Sequence, residues 1–191
     1  MCGNAARCVV AYGFNSQPML QTIRLQTAKT IVEGKRAQRK NIEVSMPMPK
    51  LIKKEAHIFL GVIDTVFDWV DTGVPHILIN QFPADIDLAR RLRKHPTFGK
   101  QGANVTFYES MGKKTLRTVT YERGVEGLTL ACGTGVVAAA WAHNDFSWLK
   151  KEVEVETPGG KLYVGFSENK KVALCGSATL VGCGRFFYES S

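Results

Sequence analysis

One short motif occurs twice in this 191-residue chain, as Cys2-Gly3-Asn4-Ala5 and as Cys132-Gly133-Thr134-Gly135, each time opening a stretch rich in Ala and Val. Such stretches read as buried helices. Two equivalent helices, each starting at a cysteine, have to share the interior of one small protein, and the duplication therefore predicts a two-thiol site. A cysteine at a helix start faces unpaired backbone N–H groups and the positive end of the helix dipole, which favour the thiolate. The adjoining glycine lets an anionic ligand approach the backbone closely.

Around these helices the chain alternates apolar and polar residues with the period of a strand. The first helix is expected over residues 3–14, and residues 21–33 predict one strand or two. Gly34 is expected to begin a charged turn holding Lys35, Arg36, Arg39 and Lys40. Residues 41–46 read as a strand stopped by Pro47 and Pro49, and residues 57–70 as one or two more. His76-Ile77-Leu78-Ile79 reads as a buried strand after a turn at 71–75. Asp85 or Asp87 caps a helix that runs to Lys94 and is ended by His95-Pro96. Residues 104–110 and 114–121 read as paired strands, and the second motif's helix as 133–142. Residues 153–156 and 161–166 make a hairpin around Pro158-Gly159-Gly160, and 172–174 and 178–188 add further strands. The class is α+β, a mostly antiparallel sheet wrapped around two central helices, and the length suits two small domains.

Composition narrows the function. With 45% hydrophobic and 22% charged residues the chain is ordinary globular material, and no apolar run is long enough to span a membrane. Export is not expected, since the sequence shows no charged-then-apolar stretch ending in a small-residue cleavage site. The net charge of +8 is local: beside the predicted turn it sits at Lys50, Lys53 and Lys54 and at Arg90, Arg91, Arg93 and Lys94. No aromatic residues interleave with these clusters, so a solvated basic face is expected rather than a nucleic-acid partner. Five cysteines without a Cys-x-x-Cys pair speak against a disulfide framework or zinc site and for reduced thiols in a cytoplasm. Cys2 and Arg7 are one residue too close for a phosphate-cradling Cys-x5-Arg loop. The glycine motifs lack the Lys-Ser/Thr of phosphate loops, and neither a metal nor a pyridoxal phosphate site is legible. A cofactor-free enzyme is expected.

The strongest motifs are Met1-Cys2-Gly3-Asn4 with Arg7-Cys8, Gly73-Val74-Pro75-His76, Gly102-Ala103-Asn104-Val105, and Glu122-Arg123-Gly124 leading to Ala131-Cys132-Gly133-Thr134-Gly135. Their order resembles the diaminopimelate epimerase family over almost the whole chain. The resemblance implies inversion of the α-carbon of LL-diaminopimelate to the meso form, in lysine and peptidoglycan precursor synthesis, by a cytoplasmic homodimer without cofactor. Its fold implies two pseudo-symmetric domains, each a sheet or barrel around a central helix. Residues 1–35 would be the remainder of an incomplete N-terminal domain, 36–176 the C-terminal domain, and 177–191 a terminal strand returning toward the first. Cys2 and Cys132 would be the acid/base pair on opposite faces of the α-carbon. Gly3, Asn4, Gly133 and Thr134 would offer N–H groups to the substrate carboxylate. By the same resemblance His76 would help set the ionisation of a cysteine and Glu122 would bind the reacting amino group or assist a thiol. Asn104 and Arg123 would hold the distal end of the substrate.

The chain departs from the family pattern in three places. Val74 stands where the family often carries asparagine, which raises a broader amino-acid racemase, for instance of glutamate, as an alternative. Leu128 stands where an acidic residue often precedes the Thr129 to Cys132 run. The family also carries a substantial segment before its first cysteine motif. A chain beginning at that motif is expected to be weakly stable or inactive, with Val9, Val10 and Tyr12 exposed, and a catalytically silent remnant is the remaining alternative.

Overall fold

The structure is a computed structural model that describes residues 2–28, 30–38, 41–148 and 151–185. The elements run α1 (Gly3–Ser16), β1 (Thr22–Gln26), β2 (Ile31–Arg36), β3 (Ile42–Met46), β4 (Lys50–Leu60), β5 (Ile63–Asp71), β6 (Pro75–Asn80), α2 (Ile86–Arg93), β7 (Asn104–Gly112), β8 (Thr115–Glu122), β9 (Gly127–Thr129), α3 (Gly133–His143), β10 (Lys151–Thr157), β11 (Gly160–Phe166) and β12 (Val172–Gly176). The expected α+β class is the one observed. The strands form one hydrogen-bonded sheet in the order β1-β2-β3-β12-β11-β10-β8-β7-β6-β5-β4, with β9 beside β8. Its pairs are antiparallel apart from β6 with β7 and β10 with β8.

The helices differ because their sequences differ. Residues Gly3, Ala6, Arg7, Val10 and Phe14 of α1 are buried, one stripe at helical spacing, while Val9 and Tyr12 face outward. Val10, expected at the surface, is fully buried. In α3 every residue from Gly133 to Trp141 is buried, as a helix apolar on all sides must be. Both helices enter one core with Val44, Leu78, Leu116, Val155, Val164 and Leu174. Helix α2, capped by Asp85 accepting from the Leu88 N–H at 2.9 Å, packs on a second core with Ile77, Ile79, Val105, Phe107 and Val119. Strand β6 thus alternates between two buried faces: Ile77 and Ile79 face the second core, whereas Leu78 faces α3.

Gly34 is in mid-strand, paired with Ile23 and Val44, and not at the start of a charged turn. A side chain there would clash with both γ-carbons of Val10, so the glycine serves the close approach of α1 to β2. Lys35 and Arg36 are strand residues, and Arg36 reaches back to donate to the Phe14 carbonyl at 3.0 Å; Arg39 and Lys40 lie outside the described residues. Residues 177–185 form no strand: the pairing of β12 ends at Gly176, which lies opposite Leu162 on one side and, on the other, opposite Ile42, where β3 begins. Residues 186–188 of that expected strand lie outside the described residues.

Gly34→Ala should destabilise the fold by about 1–3 kcal/mol, the cost of overpacking a filled site. Pairing it with Val10→Ala should lower the cost of the added methyl, measured as the non-additive part of a urea-denaturation double-mutant cycle.

Candidate active site

The two cysteine motifs have nearly the same local geometry. Cys2 caps α1 with φ −112° and ψ 114°, and Cys132 caps α3 with φ −112° and ψ 105°. A cap in extended conformation turns the side chain back over the first helical N–H groups, and the Cys2 Sγ accepts from the Ala5 N–H at 3.5 Å.

The two helix starts touch. A Cβ on Gly133 would lie 3.4 Å from the Gly3 Cα, and a Cβ on Gly3 or Gly133 would lie 2.9 or 3.0 Å from the same Leu174 Cδ2. Asn4 ties the motifs together: its Nδ2 donates to the carbonyl of Ala131 at 2.9 Å, and its Oδ1 accepts from Arg7 Nη2 at 3.0 Å. Two sets of orphan N–H groups therefore open onto neighbouring ground, which suits an anion held by both dipoles.

Beneath the start of α3 lies a polar seam built by strand parity. Register pairs His76 with Asn104 and Thr106 with Thr120, and these side chains share the α3 face of β6, β7 and β8. Room for them comes from Gly135, where a Cβ would lie 2.5 Å from Thr120 Oγ1 and 2.9 Å from Thr106 Oγ1. His76 is fully buried. Its Nδ1 is 2.9 Å from Thr106 Oγ1 and its Nε2 is 3.0 Å from Thr134 Oγ1. Thr134 Oγ1 is in turn 3.4 Å from Cys132 Sγ. Burial, followed by the charge of Arg123, pushes the histidine pKa down to about 3, so the ring is neutral.

The cysteines differ in environment: Cys2 is exposed and Cys132 buried. For Cys132 the expected easy ionisation is reversed. Burial pushes its thiol up and Glu122 adds to this, outweighing the opposite pull of the Thr134 hydroxyl and of the nearby Thr134 and Gly135 N–H groups; the Cys132 Sγ makes no cap hydrogen bond of the kind seen at Cys2. Asn104 is nearly buried, with its Oδ1 accepting from the Arg123 N–H at 2.7 Å and its Nδ2 facing His76 Nε2 at 3.3 Å. The Arg123 guanidinium approaches Gln101 Oε1 at 3.3 Å and the Gly102 carbonyl at 3.4 Å. The turn carrying Arg123 is pinned by Arg93, which is buried and pairs with Glu126 at 2.8 Å.

Structure thus links Cys132, Thr134, His76 and Asn104 in one hydrogen-bonded group and sets Gly3 beside Gly133. Thr106, Thr120 and the Arg93–Glu126 pair were not foreseen. The two threonines carry a readable signal, since Thr106 is two residues beyond Asn104 on a strand and so shares its face. Among the described residues, no group of three or more His, Cys, Asp or Glu is arranged to hold a metal, and no helix is long and apolar enough to cross a membrane. The basic residues of α2 are tied down, Arg91 to the Leu60 carbonyl at 2.7 Å and Arg90 to Asp87 at 3.2 Å.

A family model described as diaminopimelate epimerase matches residues 68–181. The diaminopimelate epimerase of Chlamydia muridarum is 35% identical over 193 residues, covering 96% of this chain and 71% of that protein. That of Aquifex aeolicus is 33% identical, covering 99% and 70%. Among solved structures, a hydroxyproline epimerase from Agrobacterium vitis with bound trans-4-hydroxy-L-proline superposes with a TM-score of 0.70 at 18% identity, over 95% of this chain and 66% of that one. A phenazine biosynthesis protein of the PhzF family from Bacillus anthracis gives 0.61 at 13% identity, over 93% and 73%. These likenesses establish a shared fold.

An unfolded histidine takes up a proton near its ordinary value of 6.5 while buried His76 refuses it until about pH 3. Below the ordinary value the unfolded state therefore binds more protons, and stability falls as the pH is lowered across that window. Urea midpoints should drop on acidification from about pH 7 to about pH 4 more steeply for the wild type than for His76→Gln; parallel slopes would contradict the assignment.

Proposed function

Because the chain belongs to the diaminopimelate epimerase family, we propose that it inverts the α-carbon of LL-diaminopimelate to the meso form without a cofactor, with Cys2 and Cys132 as acid/base pair. The observation carrying this reading is the meeting of two cysteine-capped helix starts at Gly3 and Gly133.

Inverting an α-carbon requires one group to remove the proton and a second to deliver one from the opposite face. In one direction Cys2, as thiolate, takes the α-proton while Cys132, which burial keeps protonated, donates its own; in the other direction the roles exchange. The electron pair left on the α-carbon spreads onto the substrate carboxylate, where N–H groups of Gly3, Asn4, Gly133 and Thr134 donate to the oxygens that carry the growing charge. One preorganised donor of this kind contributes roughly 3–4 kcal/mol to a transition state, so donors from two helices account for stabilisation that a pyridoxal ring supplies elsewhere. Glu122, whose charge reaches Cys132, suits the substrate ammonium. Arg123 suits the distal carboxylate, since its planar fork matches two oxygens.

The test is deuterium incorporation from heavy water at the α-carbon, with diaminopimelate and glutamate as alternative substrates. Exchange should favour diaminopimelate, and Cys2→Ala and Cys132→Ala should each lower inversion by at least about a hundredfold, the lower range for a lost acid/base group. Exchange indifferent to Cys132 would refute the two-thiol reading; preference for glutamate would reassign the substrate and give weight to Val74.

A further inference from the structure

The polar seam under α3 has a hydrogen count that sets the direction of the bonds at His76. The Arg123 backbone N–H, 2.7 Å from one end of the Asn104 carboxamide, can only donate, so that end is oxygen. The other end is therefore the NH2, and it faces His76 Nε2 at 3.3 Å. An amide NH2 can only donate, so Nε2 carries a lone pair. The one proton of the neutral ring sits on Nδ1 and is donated to Thr106 Oγ1 at 2.9 Å. Thr106 Oγ1 also lies 3.0 Å from Thr120 Oγ1. The ring is thus held as the Nδ1–H tautomer by Asn104 and Thr106 of β7.

Thr134 stands between two acceptors of different permanence. Its Oγ1 is 3.0 Å from the lone pair on Nε2 and 3.4 Å from Cys132 Sγ. While the sulfur carries its proton, the S–H donates to Oγ1 and the hydroxyl hydrogen points at Nε2. Once the sulfur is a thiolate it has become the stronger acceptor, and rotation about the Thr134 Cβ–Oγ1 bond turns the same hydrogen to Sγ. Nε2 is not stranded by this, because the Asn104 NH2 remains on it.

We propose that the Thr134 hydroxyl is a two-position donor that follows the protonation state of Cys132, and that Asn104 and Thr106 are positioning residues that keep His76 an acceptor in both states. No proton leaves His76 and no imidazolium forms; the proton exchanged with substrate is the sulfur's own. The inference rests on the acid/base reading of Cys132 and gives Asn104 a task on the cysteine side of the site.

Two measurements on the full chain without substrate test this. The 15N shifts of His76, assigned by difference from His76→Gln, should report the Nδ1–H tautomer at neutral pH; an Nε2–H tautomer or an imidazolium would overturn the proposal. Alkylation of Cys132 by iodoacetamide, in a Cys2→Ala background and located by peptide mass, should slow roughly tenfold in Thr134→Val, which lacks one charge-assisted hydrogen bond to the thiolate. Thr134→Ser should restore the rate to within about threefold, and a serine variant as slow as valine would contradict a role for the hydroxyl. Deuterium exchange by the wild-type chain, with both cysteines in place, separates the outcomes. The expected tautomer and alkylation rates without exchange would count against the epimerase reading alone, whereas exchange with the wrong tautomer would count against the switch alone.

Discussion

Gly3 and Gly133 lie back to back over the side chain of Leu174, and that contact sets how closely two helix N-termini can approach. Leu174 is fully buried in the core shared by both helices; truncating such a leucine typically costs ~2–5 kcal/mol. A methyl on either glycine would push against Leu174 and part the helices. The Asn4 carboxamide, held by Arg7 and bonded to the Ala131 carbonyl, fixes their relative rotation. Positive dipole ends normally repel, so the arrangement is one that packing imposes and an anion between the ends relieves.

The two thiols are equivalent in backbone and unequal in surroundings, which follows from where each helix sits. Helix α3 is buried on all sides, and its cap residue inherits low dielectric and the threonine-histidine seam. Helix α1 packs on β1, β2 and β3 by one stripe and leaves its cap exposed. On the proposed two-thiol reading, a buried thiol needs a donor that appears only when it ionises, because a permanent cation beside it would hold it as thiolate in both directions. A neutral histidine and a hydroxyl supply such a donor without placing charge in the core.

Much of this was legible in the chain. The duplicated motif pointed to both helices, period-two alternation to β3, a continuous apolar run to β6, and the turn at Pro158-Gly159-Gly160 to the β10–β11 hairpin; the β7–β8 pair was expected as well. Gly34 was misread because a lone glycine ahead of four basic residues looks like a turn, whereas the reason for it is Val10, a partner 24 positions earlier in the sequence. The strand expected after Gly176 stops where its neighbour β3 begins, at Ile42, which only sheet order reveals. At the site, residue types pointed to Cys132 and His76, but their linkage through Thr134 depends on the packing of α3 against β6, which no local pattern encodes. The raised thiol of Cys132 likewise follows from tertiary burial overriding a favourable helix position.

The most direct measurement is a crystal structure of this chain with diaminopimelate bound. The expected density places the α-carboxylate on the N–H groups of Gly3, Asn4, Gly133 and Thr134, with the α-carbon between the sulfurs of Cys2 and Cys132. A ligand held away from the Gly3–Gly133 contact, or one facing a single sulfur, would contradict the pairing of the two helices as one acid/base site.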